Sequence, residues 1–329
     1  MIRRTIGRNG PSVNAIGLGC MGISFAYGPA MEDKDAVALL HKAVDLGVDH
    51  FDTAEMYGFG DSEKKLGQAF NDRRDKVFIA TKFGPMYNIQ TGQRAGVDGS
   101  AANAKRALEQ SLKHLQTDHI DLWYLHRRDF SRPIEETVGA MAEFVKQGKV
   151  KHIGLSEVTA DTLRAAAKVH PIAALQSEFS IFTRFIEDDG ILAACKELGT
   201  TLVAYSPLGR GMLAGWSKDW KVNGFDFRAT MAPRFQGEAL ENNLALVEEI
   251  AMVAESVNAT AGQVALAWAL QRAENIVTIP GTTKIANLEK NLGAATVKLT
   301  PTALARLDAL AAKVKGERYD EPGMKGVNG

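Results

Sequence analysis

The sequence predicts an α/β fold: a single (β/α)8 TIM barrel over residues 1–329, with an N-terminal β-hairpin and extra C-terminal helices. Three observations carry this. Eight short apolar runs alternate with longer amphipathic stretches. No break in composition divides the chain. Polar residues able to do acid–base chemistry stand just past several of the apolar runs, as they do at the carboxyl ends of barrel strands.

In chain order, residues 2–14 read as a hairpin turning at Arg8-Asn9-Gly10. The eight barrel strands are predicted at 15–19, 48–52, 77–82, 120–126, 150–156, 173–178, 201–205 and 276–280. Several are apolar nearly throughout, as strands covered on both faces should be. Helices are predicted at 33–46, 62–70, 101–115, 134–147, 160–169 and 188–198, then 242–257 with 261–272, and 285–295. Gly47, Gly148 and Gly199 follow the last periodic residue of three of them and mark their ends. Residues 301–313 form an additional helix. The stretch 206–238 has no clear period and contains Gly209, Gly211, Gly215, Trp216, Trp220 and Pro233. A loop of that length in a compact domain points to a lid or binding segment. Residues 316–329 are polar and contain glycine, so they are expected to fray.

With 45% hydrophobic and 24% charged residues among 329, the chain can build a large core. Its formal net charge is zero and no lysine or arginine run stands out, so charge gives no case for nucleic-acid or membrane partners. No run of about 18 apolar residues exists to span a bilayer. The start, MIRRTIGRNG, has basic residues without an apolar stretch behind them, so no signal peptide is expected. Two cysteines and no secretion signal predict a reducing, cytoplasmic setting. Oligomeric state is left open.

Asp52, Tyr57, Lys82 and His126 are the candidate catalytic residues. They sit at the ends of the runs VDHFDTAEMYG, KVFIATKFG and IDLWYLHRRD, or in the turns that follow. A phenol ordinarily titrates near 10, and a buried ammonium beside it is expected to lower that value. A carboxylate would keep the ammonium charged and in place, and an imidazole could hydrogen-bond a substrate oxygen or relay a proton. The set could protonate a carbonyl oxygen without a metal. Each residue alone has an ordinary structural explanation; convergence at one barrel mouth is what favours catalysis.

Other motifs are weaker. Residues 17–22 spell G-x-G-x-x-G, but the next helix begins only near Asp33, after Gly28 and Pro29. A dinucleotide fingerprint needs a helix opening at the glycines, so these are read as a tight first turn at the barrel mouth. The seven histidines show no zinc-binding spacing and no metal is predicted. There is no nucleophile elbow, and Cys20 reads as a small apolar filler. Phe25, Tyr27, Phe83, Met86, Tyr87 and Trp216 are candidates for an aromatic substrate pocket. Arg127 is either a contact to a polar substrate or a surface salt-bridge residue.

Taken in order, GLGCMG, FDTAEMYG, ATKFG, DLWYLHRRD, HIGLSE, LQSEFS, AYSPLGRGML and IPGTTK resemble the aldo-keto reductases, with wording closest to the potassium-channel-β-like bacterial and plant branch. The resemblance runs from about Ile6 to Ala295. It implies a barrel that binds NADPH without a Rossmann domain and reduces a small carbonyl compound, with Asp52, Tyr57, Lys82 and His126 as tetrad and Tyr57 as general acid. It further implies that Ser156 and Gln176 hold the nicotinamide carboxamide and that Tyr205 stacks on the ring. Ser206, Leu208 and Arg210 would line the pyrophosphate, with Gly281, Thr282, Lys284, Asn287 and Asn291 at the adenosine end and Gly19, Cys20 and Met21 beside the cofactor. Two positions depart from the pattern. Glu157 stands where many members have asparagine, and an ionised carboxylate cannot donate to a carboxamide, so Glu157 is expected to point elsewhere. Asn287 stands where many carry an arginine for the 2′-phosphate, leaving Lys284 as the main cation. Two other functions remain open on the residues: a nicotinamide-binding regulatory subunit, and an aldolase using Lys82 as a Schiff-base nucleophile.

Overall fold

The computed structural model describes residues 1–87, 94–215 and 226–327. Two antiparallel strands, β1 (Arg3–Thr5) and β2 (Ser12–Asn14), open the chain with Arg4 opposite Val13. This is the expected hairpin, and it plugs the amino-terminal end of the barrel. Ile6 and Val13 point into the interior, Arg4 donates to the carbonyls of Leu270, Ala273 and Ile276, and Thr201 Oγ1 donates to the Thr5 carbonyl at 2.8 Å.

The eight predicted barrel strands are all present: β3 (Leu18–Gly19), β4 (His50–Asp52), β5 (Phe78–Phe83), β8 (Ile120–Leu125), β9 (Val150–Ser156), β10 (Ile172–Glu178), β11 (Thr201–Tyr205) and β12 (Ile276–Thr278). They lie parallel in sequence order. Parallel bridges from Ile16 to Thr278 and from Gly19 to Gly281 close the first strand onto the last. Closure requires glycine there: a Cβ on Gly19 would sit 2.7 Å from the Ile279 carbonyl oxygen. The G-x-G-x-x-G segment therefore belongs to barrel closure. Only a short 3-10 turn, Met21–Ile23, follows it, and the first helix begins at Asp33.

Side-chain alternation sorts each strand into an inner and an outer row. Phe78, Ala80, Leu122, Tyr124, Ala174, Val203 and Val277 fill the inside. Ile79, Phe83, Trp123, Leu125, Leu155, Leu175 and Leu202 pack outward against the helices. Phe83 stacks on Trp123 at 4.3 Å, so it belongs to the outer core and leaves the proposed aromatic pocket.

Four expectations change. First, residues 84–100, between the predicted strand at 77–82 and the predicted helix at 101–115, contain a second hairpin, β6 (Pro85–Tyr87) with β7 (Arg94–Val97). It is too short to show alternation, and Pro85 argues against a strand in sequence. Second, the helix read at 242–257 begins at Gly237, because Leu240 already packs against the core. Third, the helix at 188–198 is split into Phe185–Asp188 and Ile191–Leu198 by Gly190, which adopts φ 82°. Fourth, the C-terminal segment is not frayed. After the helix Pro301–Asp308 and the turn Ala311–Lys313, it runs back over the barrel mouth and ends in a short helix, Glu321–Met324. Trp216 and Trp220 lie outside the described residues, while 206–215 and 226–238 form short helical turns that cross the mouth. Among the described residues no helix is long and apolar enough to cross a membrane.

Candidate active site

Residues at the carboxyl ends of neighbouring inner rows build the site. Asp52 ends β4, Lys82 sits near the end of β5 opposite Tyr124 of β8, Ser156 ends β9 opposite Gln176 of β10, and Tyr205 ends β11 opposite Glu178. Tyr57 stands in the turn between β4 and the helix Asp61–Phe70. His126 follows β8 and continues its ladder, donating N–H to the Phe83 carbonyl at 2.8 Å.

Lys82 is 0% exposed. Its ammonium donates to Asp52 Oδ1 at 2.5 Å, to the Thr53 carbonyl at 2.7 Å and to Tyr57 Oη at 3.4 Å. The second Asp52 oxygen accepts from Gln176 Nε2 at 2.8 Å, which holds the carboxylate from the far side. The Tyr57 and His126 rings meet edge to face at 5.9 Å. All four predicted catalytic side chains are thus gathered in one buried cluster.

The electrostatics differ from the expectation in one respect. Burial, reinforced by the negative charge of Asp52, pushes the Tyr57 phenol well above its ordinary value. The Lys82 ammonium does not win because its charge is compensated by Asp52 in direct contact. Burial also pulls Lys82 down, and Asp52 opposes this. The result is a phenol that stays protonated at neutral pH beside a paired lysine.

Around this cluster lies a second layer of charge. Arg127 turns inward, donating to Ser156 Oγ at 3.2 Å and to the His126 carbonyl at 2.7 Å, so it is not a surface salt-bridge residue. Arg210 reaches Glu178 Oε2 at 3.0 Å, and Arg234 lies 3.7 Å from the other oxygen. Glu157 turns away from Ser156, as expected, and is gripped at 3.1 Å on each oxygen by Arg318. Four guanidiniums against two carboxylates leave this side of the mouth with a fixed positive excess. Ser206 and Arg210 both take left-handed backbone angles in the tight turn after β11, with Leu208 buried between them. On the other side of the closure, Thr282 Oγ1 accepts the Lys284 N–H at 3.1 Å, and Lys284 caps the helix Ile285–Gly293. Lys284 and Asn287 are exposed there, whereas Asn291 is buried. Cys20 is buried with its thiol pushed up by burial, which removes it as a nucleophile. Among the described residues no group of three or more metal-ligating side chains is assembled.

Comparison with known proteins agrees with this arrangement. The family model described as "Aldo/keto reductase family" matches residues 15–312. A probable aldo-keto reductase 1 from Glycine max is 42% identical over 305 residues, covering 92% of this chain and 86% of that protein. The chain belongs to the aldo/keto reductase family. A second relative, aldo-keto reductase yakc of Schizosaccharomyces pombe, whose name specifies NADP(+), is 43% identical over 324 residues, covering 96% of this chain and 94% of its own. Among solved structures, the glycerol dehydrogenase of Gluconobacter oxydans superposes with a TM-score of 0.86 at 26% identity, covering 95% of this chain and 96% of its own. An aldo-keto reductase from Klebsiella pneumoniae in complex with NADPH superposes with 0.74 at 27% identity, covering 97% and 99%.

The sequence left one part of this aldo/keto reductase unread. Arg318 is 3% exposed and Tyr319 Oη lies 2.9 Å from Tyr205 Oη. Both come from the segment expected to fray. The available signal was a pair of side chains able to bury against charge and aromatic rings, Arg-Tyr, inside an otherwise polar tail.

Proposed function

We propose that this aldo/keto reductase reduces aldehydes or ketones to alcohols with NADPH, Tyr57 protonating the carbonyl oxygen. The observation that carries the reading is the Lys82 ammonium shared between Asp52 and the Tyr57 hydroxyl in a buried pocket. A phenol kept protonated by burial is a proton donor at neutral pH, and the adjacent ammonium stabilises the phenolate left behind. His126, in edge contact with Tyr57, would orient the substrate oxygen.

The residues present fit a dinucleotide. With Arg318 committed to Glu157, the positive excess of Arg127, Arg210 and Arg234 over Glu178 suits a pyrophosphate, and Tyr205 offers a flat face near Ser156 and Gln176. When bound, NADPH supplies the hydride for the carbonyl carbon. Ser156 and the Gln176 carbonyl oxygen would hold the carboxamide, while the Gln176 amide nitrogen stays on Asp52. Lys284, at a helix N-terminus with Thr282, would meet the 2′-phosphate. The Schiff-base alternative gains nothing here, because Lys82 is wholly buried and committed to three oxygens.

The test is Tyr57→Phe, which keeps the ring and removes the proton. Removal of a general acid predicts a fall in kcat of about 100-fold or more with NADPH affinity little changed. Turnover near that of the parent enzyme would sink the assignment.

A further inference from the structure

The C-terminal segment reaches the candidate active site from across the barrel mouth. Residues 315–317, just before it enters the mouth, are exposed, so apolar burial does not hold that stretch. Polar contacts do. Asn243, buried, donates to the Lys315 carbonyl at 2.9 Å and accepts the Lys315 N–H at 3.0 Å. The Asp320 N–H donates to the Met231 carbonyl at 3.1 Å. Between these clips, Arg318 and Tyr319 are driven into the mouth.

Arg318 forms a two-pronged pair with Glu157, lies 3.9 Å from Glu178 and sits 4.4 Å above the Phe185 ring. Its carbonyl accepts from Arg210, whose guanidinium covers the Tyr319 ring at 4.5 Å. Glu157 is itself informative. It follows Ser156 directly, adopts φ 53°, and its Oε1 also accepts the Glu178 N–H at 2.9 Å. A non-glycine residue held in the left-handed region needs surrounding contacts to keep it there, and such residues cluster at functional sites. The contacts here are Arg318 and the end of β10. Burying a guanidinium and a carboxylate together gives little net stability even with good geometry, so a pair of this kind is a device for placement. An arginine fork supplies two directions of constraint, which a lysine cannot. Tyr319 repeats the pattern on the next strand through its hydroxyl contact to Tyr205.

We propose that Arg318 and Tyr319 are positioning residues for the nicotinamide half of the cofactor site: Arg318 fixes the Ser156–Glu157 turn through Glu157, and Tyr319 fixes the Tyr205 ring through its hydroxyl. This rests on the reductase reading above. Neither residue touches the reacting atoms. Both set the two surfaces between which a flat ring and its carboxamide would lie, and the remote adenosine end at Lys284 lies outside their reach.

The experiment compares two ligands. NADPH carries the nicotinamide half; adenosine 2′,5′-bisphosphate carries only the other. Binding of each is measured by titration calorimetry for the parent enzyme, Arg318→Met, Arg318→Lys and Tyr319→Phe, with thermal unfolding alongside. Arg318→Met should weaken NADPH about tenfold or more while the bisphosphate stays within about twofold, and Arg318→Lys should recover part of the loss. Tyr319→Phe deletes one oxygen and should weaken NADPH several-fold with the bisphosphate unchanged; it carries the test if Arg318→Met does not fold. Equal weakening of both ligands, or no change in either, would overturn the proposal. A parent enzyme that binds the bisphosphate but gains nothing from the nicotinamide half overturns it as well. A parent enzyme that binds neither ligand overturns the reductase reading itself, and the proposal with it.

Discussion

Lys82 meets three oxygens within one buried pocket, and its behaviour under substitution separates chemistry from support. Replacing it by methionine removes the countercharge and leaves Asp52 beside the phenol, so Tyr57 should become a still weaker acid and activity should collapse. Lys82→Arg keeps the charge but misplaces it and should retain only a trace. Stopped-flow reduction of a carbonyl panel reads both; two active variants would make the lysine structural. Lys284 is the other residue with a proposed job. It is exposed, so a contact to a 2′-phosphate would be screened by water and modest in size. Lys284→Ala should weaken NADPH about three- to tenfold and leave NADH nearly unchanged. Fluorescence titration with both cofactors checks this, and equal weakening of the two would refute it. The three candidate catalytic positions Asp52, Lys82 and His126 were legible because each ends or just follows an apolar run. Tyr57 was legible from the short turn after Asp52. Arg318 was not, because no local pattern says that an arginine in a polar tail meets a glutamate 161 positions earlier.

At the scale of the element, close strand approach rests on a few small residues. Gly154 of β9 faces the Tyr124 ring of β8, and any Cβ there would collide with it. Gly154→Ala must push the ring aside in a filled barrel interior and should cost about 1–3 kcal/mol, read as a lower midpoint in urea unfolding. A midpoint equal to that of the parent would show that Tyr124 has room to move. Helix boundaries illustrate the same point from the other side. Thr260 and Gln263 form a reciprocal cap on the helix Ala261–Arg272, whose bounds are the predicted ones. The start of the preceding helix at Gly237 carries no side-chain cap, and its boundary was misplaced by five residues. The hairpin β6–β7 was missed altogether, since three or four residues give no measurable period.

The whole molecule adds a dependence on pH. His50 is completely buried on the inner row, edge-on to Phe78, and neither ring nitrogen has a hydrogen-bond partner among the described residues. Burial lowers its pKa, against the opposing influence of Asp52 and Asp49 and aided by Lys82. Between that lowered value and the ordinary one near 6.5, the unfolded chain binds a proton that the folded chain refuses. Stability therefore rises with pH through this window and is lost as pH falls below about 6.5. The melting temperature should drop on mild acidification. His50→Leu should flatten part of that slope, the half-buried His152 accounting for some of the remainder. A slope identical in parent and variant would remove His50 as a cause.

The sequence by itself determined the barrel, the order of its strands, the hairpin at its base and the four residues Asp52, Tyr57, Lys82 and His126. All of these are written in short-range patterns: apolar runs in strands, periodicity within helices, polar residues at strand ends. Tertiary structure decided which charges pair. It turned Arg127 inward onto Ser156, gave Glu157 to Arg318 and Arg210 to Glu178, and brought the C-terminal segment across the mouth. It also reversed the expected effect on Tyr57, because burial and the charge of Asp52 outweigh a lysine already neutralised by its partner. Pairing and desolvation depend on which surfaces exclude water together, and that is fixed only when distant parts of the chain meet.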